Sequence, residues 1–423
     1  MSDPDSFSQD LEATAPPSPP PVAPQPIDVV TFIDPVPVSL ENVPAALPVG
    51  ATSDSTARPG PGLPEAAGWT VMLLSAQIVA SILLIVVYFA YVFVASGGRM
   101  PPNPINPADL SANAYTLVTG LPGFLGYLVL IPLACWRISP TPLRKLNFSK
   151  PSLTQALIVC SCVIPLGFVS DALYSVALEW WEAFLDRVPA LGFLKDMGLE
   201  EAMAGLNGAS LPLLLFFLSV VPAVGEEWML RGLIGRGLIA RWGLVWGILL
   251  TSILFAVMHI DPPHVAAVFP IGIMMHIVYL TTRSFWMPIL YHFLNNATVS
   301  VFTSLVAQES IEQEEQEISW FLIAAPFILT LAATCLWKLR TRYVTAVGGD
   351  ASRGYFSFEH YPETEARRVA PNHPVVAIVF GLLLALQLVG VGWDVWTLRQ
   401  EQSSPESELE MQPVAVAALM TNH

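Results

Sequence analysis

Runs of about twenty apolar residues recur along this chain, each long enough to cross ~30 Å of hydrocarbon as a helix. They fall at 69–95, 115–136, 153–176, 211–224, 244–258, 265–280, 286–306, 320–337 and 374–391, the fourth continuing past a pair of glutamates. The pattern predicts an all-α, polytopic membrane bundle of eight to nine transmembrane helices with an internal polar cavity. The spans near 211 and 244 are its shortest members. Three places break the apolar pattern with ionisable or amide side chains: Glu226-Glu227 with Arg231, Phe255 with His259, and His292 with Asn296. An acid or Arg at a helix centre costs roughly 2.5–3.5 kcal/mol on insertion scales, so such a cluster marks a functional site by default.

Composition agrees with a membrane protein. The 423 residues are 53% hydrophobic and 13% charged, with a mean hydropathy of +0.56, which excludes a soluble domain. The formal charge of −15 excludes nucleic acid as a partner, since that calls for a basic patch. Much of the charge lies in the tails. Residues 1–68 combine nine acids with Arg58 alone and a proline-rich stretch at 16–21, the signature of a disordered arm. Residues 69–152 are expected to hold the N-terminal transmembrane helices and 153–306 a catalytic transmembrane core. Residues 307–395 should hold the C-terminal transmembrane helices with a cytoplasmic loop, and 396–423 form an acidic tail. The first apolar run starts too far in and is too long for a signal peptide, so it is expected to remain as an anchor. Cys135, Cys160, Cys162 and Cys335 all lie in apolar spans and read as small core residues.

Loop charges orient the bundle. Arg137, Arg144, Lys145 and Lys150, then Arg231, Arg236 and Arg241, then Lys338, Arg340 and Arg342 alternate with acidic connections at 179–201 and 309–317. Positive residues favour the cytoplasmic side, which predicts a cytoplasmic N-terminus and, with nine spans, an external C-terminus. The expected location is the inner, cytoplasmic membrane of a bacterium, as an integral multi-pass protein.

On a helix Glu227 and Arg231 stand at i and i+4 with the acid N-terminal, the better order for an ion pair. Glu226 is rotated about 100° from Glu227 and need not share that pair. One carboxylate is thus held, and the other is free to face a cavity as a general base acting on water. Phe255 and His259 repeat the i, i+4 spacing, as do His292 and Asn296. Glu226, His259, His292 and Asn296 together form a set suited to activating water and stabilising the oxyanion of a peptide carbonyl. The third to seventh spans are expected to enclose them in a cavity open towards the cytoplasm or inner leaflet. His264, His276, Asp171 and Asp261 fall outside the pairs and read as ordinary structural residues. Hydropathy puts His259 near the external end of its span and His292 near the cytoplasmic end of its own, so a span must be tilted, broken or shifted; Pro262-Pro263 and Pro270 are the candidate breaks.

The three motifs, Glu226-Glu227-x-x-x-Arg231, Phe255-x-x-x-His259 and His292-x-x-x-Asn296, resemble the signature of the CPBP family. These are the CAAX-prenyl-protease and bacteriocin-processing intramembrane proteases, also called Abi. The resemblance covers roughly 153–306 and implies an intramembrane endopeptidase that cleaves a peptide or protein substrate at the membrane, with a lipidated substrate as one form. Carried over by position, Glu226 activates the water with help from His259, and His292 with Asn296 forms the oxyanion hole. Glu227, Arg231 and Phe255 support the site. No metal or other cofactor is favoured, because two histidines on one helix turn, as in His-Glu-x-x-His, are lacking. The alternative is a zinc metalloprotease with Glu226, His259 and His292 as ligands. A non-catalytic bacteriocin-immunity or scaffold protein and a proton-coupled transporter are the rival classes. The acidic N-terminal arm and the spans near 69–95 and 374–391 lie outside the motif-bearing core.

Overall fold

The computed structural model describes residues 60–99, 110–138, 141–305, 320–344 and 367–402. The disordered tails expected over 1–68 and 396–423 lie largely outside the described residues. Helix α1 is Leu63–Ala95, so it begins inside the stretch assigned to the N-terminal tail. Glu65, in its first turn, accepts from Arg137 Nε at 2.7 Å, and the helix starts just before Pro64, a position where a proline's missing N–H costs nothing. Helix α2 is Ala112–Ile138, α3 is the short Pro142–Leu146, and α4 is Leu153–Ser161, opened by a capping box between Ser152 and Gln155. Val163–Arg187 forms α5, and a short 3₁₀ turn at Pro189–Met197 leads to α6, Leu199–Ala204.

The next stretch carries the first motif. Helix α7, Leu211–Leu214, and α8, Val221–Glu227, are joined by a wide π turn at Leu215–Val220, and a second π turn at Trp228–Ile234 leads into α9, Gly235–Val257. Such turns concentrate at functional sites, where they re-aim side chains. Within α9 the chain reverses at Gly243, whose φ of 76° and ψ of 178° suit glycine alone. Helix α10 is Pro262–Thr282, α11 is Trp286–Leu305, α12 is Trp320–Lys338 and α13 is Pro374–Gln402. Two short strands, β1 (Arg342–Val344) and β2 (Arg367–Val369), pair antiparallel between α12 and α13.

Among the described residues six helical stretches are long and apolar enough to cross a membrane. The chain is a multi-pass membrane protein, and the all-α bundle stands. The expected count of eight to nine does not. The runs at 211 and 244 are two arms parted at Gly243 and together make one of the six stretches, while α11 carries His292, Asn295 and Asn296 and α12 has only a short apolar stretch. Helix α10 is the hub and is mostly buried, whereas α1 and the described part of α13 are largely exposed and face lipid. α10 packs against α5, α9, α11 and α12.

At one end of the bundle the connections before α4, after α10 and after α12 lock together. Asn147 O accepts from Phe285 N, Asn147 Nδ2 donates to Tyr343 OH at 2.6 Å, and Thr341 N donates to Thr281 O at 2.7 Å. Buried Gln155 donates to Leu339 O at 2.9 Å from α4. The connection at 188–210 is therefore at the opposite end, one pass of α4 and α5 away.

Candidate active site

Three helices each turn a stripe with i, i+3, i+4, i+7 spacing, one helix face, toward a common space. α5 presents Gly167, Ser170, Asp171 and Tyr174; α10 presents His264, Ala267, Val268 and Ile271; α11 presents His292, Asn295, Asn296 and Val299. Leu218 and Glu226 come from the α7–α8 stretch, and Phe255 and His259 from the end of α9. The resulting cavity has a volume of about 510 Å³. It brings together Glu226, His259, His292 and Asn296.

Both histidines line the same cavity, although hydropathy puts them toward opposite ends of their spans. From Gly243 to Val257 the returning arm spans roughly 21 Å at the helical rise, short of a full crossing. The chain then turns at Ile260, whose φ is +65°, and α10 starts at Pro262 behind the Asp261 N-cap, whose carboxylate accepts from His264 N. His259 therefore lies in the short link between α9 and α10, beside the cavity. Pro262-Pro263 sits at this break, whereas Pro270 lies inside an unbroken α10.

Glu227 and Arg231 are the buried pair that their spacing predicts. Both side chains have 0% exposure, and Arg231 Nη1 donates to Glu227 Oε1 at 2.7 Å. Arg231 Nη2 donates to Gly272 O at 2.9 Å, and its guanidinium lies 4.8 Å from the centre of the Phe255 ring. Phe255 also packs edge-on against His259 and His292. Glu227 and Arg231 thus lie behind the cavity, with Phe255 forming part of its wall.

Glu226 faces the cavity separately, as its rotation from Glu227 requires. Its Oε1 accepts from Tyr127 OH on α2 at 3.3 Å, and its Oε2 is buried without a hydrogen-bond partner. His292 Nε2 stands 3.9 Å from that Oε2, too far for a direct hydrogen bond. His292 Nδ1 lies 3.1 Å from Glu227 Oε1. An ionised carboxylate only accepts, so this contact places the proton on Nδ1 and turns Nε2 toward Glu226. His259 Nδ1 is 3.1 Å from Phe255 O, and by the same argument its Nε2 is the atom able to accept a proton.

A proline fixes Asn296. Pro222 has no N–H to give the carbonyl four residues back, that of Leu218. That carbonyl instead accepts from Asn296 Nδ2 at 2.9 Å. Asn295 Nδ2 donates to Asn296 Oδ1 at 3.3 Å, which leaves one N–H of Asn296 for the cavity.

Four lining or contacting residues escape a reading by motif. Tyr127 reaches Glu226 from a helix far upstream, and an aromatic in an apolar run looks like core. Ser170, Asp171 and His264 are cavity residues as well, against the purely structural reading of Asp171 and His264. The signal for the first two was the stripe of small and polar residues at 167, 170, 171 and 174. His276 is buried behind the site and Asp261 is a cap, so both are structural. The cavity also reaches Leu199 and Met203 of α6. It therefore extends toward the acidic 188–210 end, not toward the basic end as expected.

Tyr127 also explains Gly225. A Cβ at Gly225 would overlap the Tyr127 ring. Gly225→Ala should therefore destabilise the protein by about 1–3 kcal/mol, as overpacking does. Thermal unfolding in detergent checks this, and an unchanged melting temperature would refute the close approach.

Among the described residues no group of three or more His, Cys, Asp or Glu side chains is gathered to hold a metal ion, and Glu226, His259 and His292 do not meet that spacing. The four cysteines are free thiols. A second cleft of about 510 Å³, lined by apolar residues of α8 and α11 with Lys150 at its edge, shares no residue with the polar cavity.

Residues 208–298, which hold all three motifs, match the family model described as Rce1-like, type II CAAX prenyl endopeptidase Rce1-like. A curated relative, the "Putative membrane peptidase YdiL" of Bacillus subtilis (strain 168), is 24% identical over 109 residues, 26% of this chain and 45% of the relative. The chain thus spans under half the length of that relative. No solved structure matches the chain. The resemblance to the CPBP family read from the motifs is borne out by these matches.

Proposed function

We propose that this chain, with a core resembling the CPBP family, is an intramembrane endopeptidase that hydrolyses a peptide bond near the membrane with a glutamate-activated water. The observation that carries the reading is the pairing of Glu226 Oε2, buried and unpartnered, with His292 Nε2 at 3.9 Å inside a cavity large enough for a peptide segment. A water between those atoms gives its proton to Glu226 as its oxygen attacks the carbonyl carbon. The Asn296 N–H left free by Leu218 donates to the oxyanion, joined by His292 Nε2–H when that ring carries a second proton. His259 Nε2 takes the water's second proton when the new carboxylic acid ionises. As the tetrahedral intermediate collapses, the proton held by Glu226 passes to the leaving nitrogen and the C–N bond breaks, giving a carboxylate and an amine. Tyr127 holds one oxygen of Glu226 so that the other faces the water.

The match to a CAAX-type endopeptidase family over 208–298 supports the reaction class. No step needs a metal. Purified full-length protein in detergent is offered a panel of internally quenched peptides, with Glu226→Gln as the blank, and the assay is repeated after exhaustive chelation. Cleavage retained within about twofold under chelator is expected. Loss under chelator with recovery on adding zinc would replace this mechanism with a metal-dependent one, and cleavage equal to the blank on every peptide would favour a scaffold or immunity role.

A further inference from the structure

The cavity is one-sided in charge. Its lining contains the carboxylates of Glu226 and Asp171 and three histidines, and neither Lys nor Arg. Arg231, the cation closest in sequence to Glu226, is sealed behind the cavity by Glu227 and the Gly272 carbonyl. An enzyme that removes a C-terminal tripeptide must accommodate the free carboxylate of its substrate. Among the described residues this cavity offers that group no cation.

It offers the opposite. Asp171 is exposed to the cavity, and its carboxylate has no hydrogen-bond or ion-pair partner among the described residues; only its backbone carbonyl is engaged, by Ser175 Oγ. Beside it Ser170 is 8% exposed, and its Oγ is a buried hydroxyl with no partner. A buried hydroxyl without a partner needs a ligand or water to satisfy it. The two occupy one face of α5 and point into the space that Glu226 faces from α8. A carboxylate and a hydroxyl together receive an ammonium or guanidinium, which brings three to five donors and no acceptor.

We propose that the cavity recognises its peptide by a cationic group, a Lys or Arg side chain or a free amino terminus, held by Asp171 and Ser170. The proposal rests on the proteolytic reading for its consequence in catalysis but not for the binding itself. The substrate class is then a basic peptide segment, set apart from a C-terminal tripeptide bearing a free carboxylate.

Two arms test it with full-length protein in detergent. In the first, quenched peptides identical except for Lys, norleucine or Glu at each position flanking the scissile bond, each as C-terminal acid and amide, are cleaved by wild type and by Asp171→Asn and Asp171→Lys. The ratio of kcat/KM for basic over neutral peptides should fall about 10- to 100-fold in Asp171→Asn, the effect of losing one charged hydrogen bond, mostly through KM. In Asp171→Lys the preference should turn toward acidic peptides. In the second arm the same fluorescent peptides are titrated by anisotropy into Glu226→Gln and into Glu226→Gln with Asp171→Asn. Tighter binding of the basic peptides that disappears with Asp171→Asn upholds the recognition site even if nothing is cleaved, in which case the proteolytic reading alone falls. Equal binding of basic and acidic peptides, or a preference for the free C-terminal acid, overturns the proposal.

Discussion

Glu226→Gln should lower turnover about 10²- to 10⁴-fold, the range supplied by a positioned general base. The substitution is nearly isosteric, and it isolates chemistry from packing. Tyr127 OH still finds an oxygen to donate to, and the Glu227–Arg231 pair is untouched, because Glu226 takes no part in it. The altered atom is Oε2, which has no hydrogen-bond partner to lose. What disappears is the lone pair that accepts the water's proton. The expected result is therefore a fall in kcat with KM within a fewfold of wild type and a melting temperature within a few degrees. Glu226→Asp, which withdraws the carboxylate by one methylene, should fall between the two. Turnover by Glu226→Gln within about threefold of wild type would remove Glu226 as the base, and a large loss of melting temperature would mean that its role is structural.

The parts of this molecule that could be read from sequence are those whose spacing is local. Three i, i+4 pairs on apolar helices need only the helical period to reveal a shared face, and Glu227 with Arg231 forms the ion pair that this period requires. The hidden parts depend on which helices meet. Nothing in the apolar run holding Tyr127 says that its ring will lie against Gly225 from another helix. Asp171 looks like a stray acid until α5, α10 and α11 pack and its face becomes a cavity wall. Hydropathy registers apolar length, and it cannot see that Gly243 takes a φ of 76° and turns the chain sharply between the runs at 211 and 244. That turn precedes the short arm that carries His259 to the same cavity as Glu226.

Arg231→Met should be the most damaging single change to the fold itself. Glu227 and Arg231 are completely excluded from solvent, and removing the cation leaves a buried carboxylate without a counter-charge, at a cost of about 3–5 kcal/mol. At the usual conversion for larger chains this corresponds to a fall in melting temperature of roughly 5–10 °C. The Gly272 carbonyl loses its donor as well, and Phe255 loses the cation above its ring. Arg231→Lys keeps the charge but cannot reach Glu227 and Gly272 together with the planar fork of a guanidinium, so an intermediate loss is expected. The decisive variant is the double substitution Glu227→Gln with Arg231→Met. If the cost of the single change is that of an uncompensated charge, neutralising Glu227 must recover a large part of the lost stability, a non-additivity of 0.5–3 kcal/mol or so. The double variant should still lack most activity, because His292 Nδ1 depends on Glu227 to direct Nε2 toward Glu226. Additive losses in thermal unfolding would show that Arg231 acts through packing and the Gly272 contact, and that the ion pair is incidental to the fold.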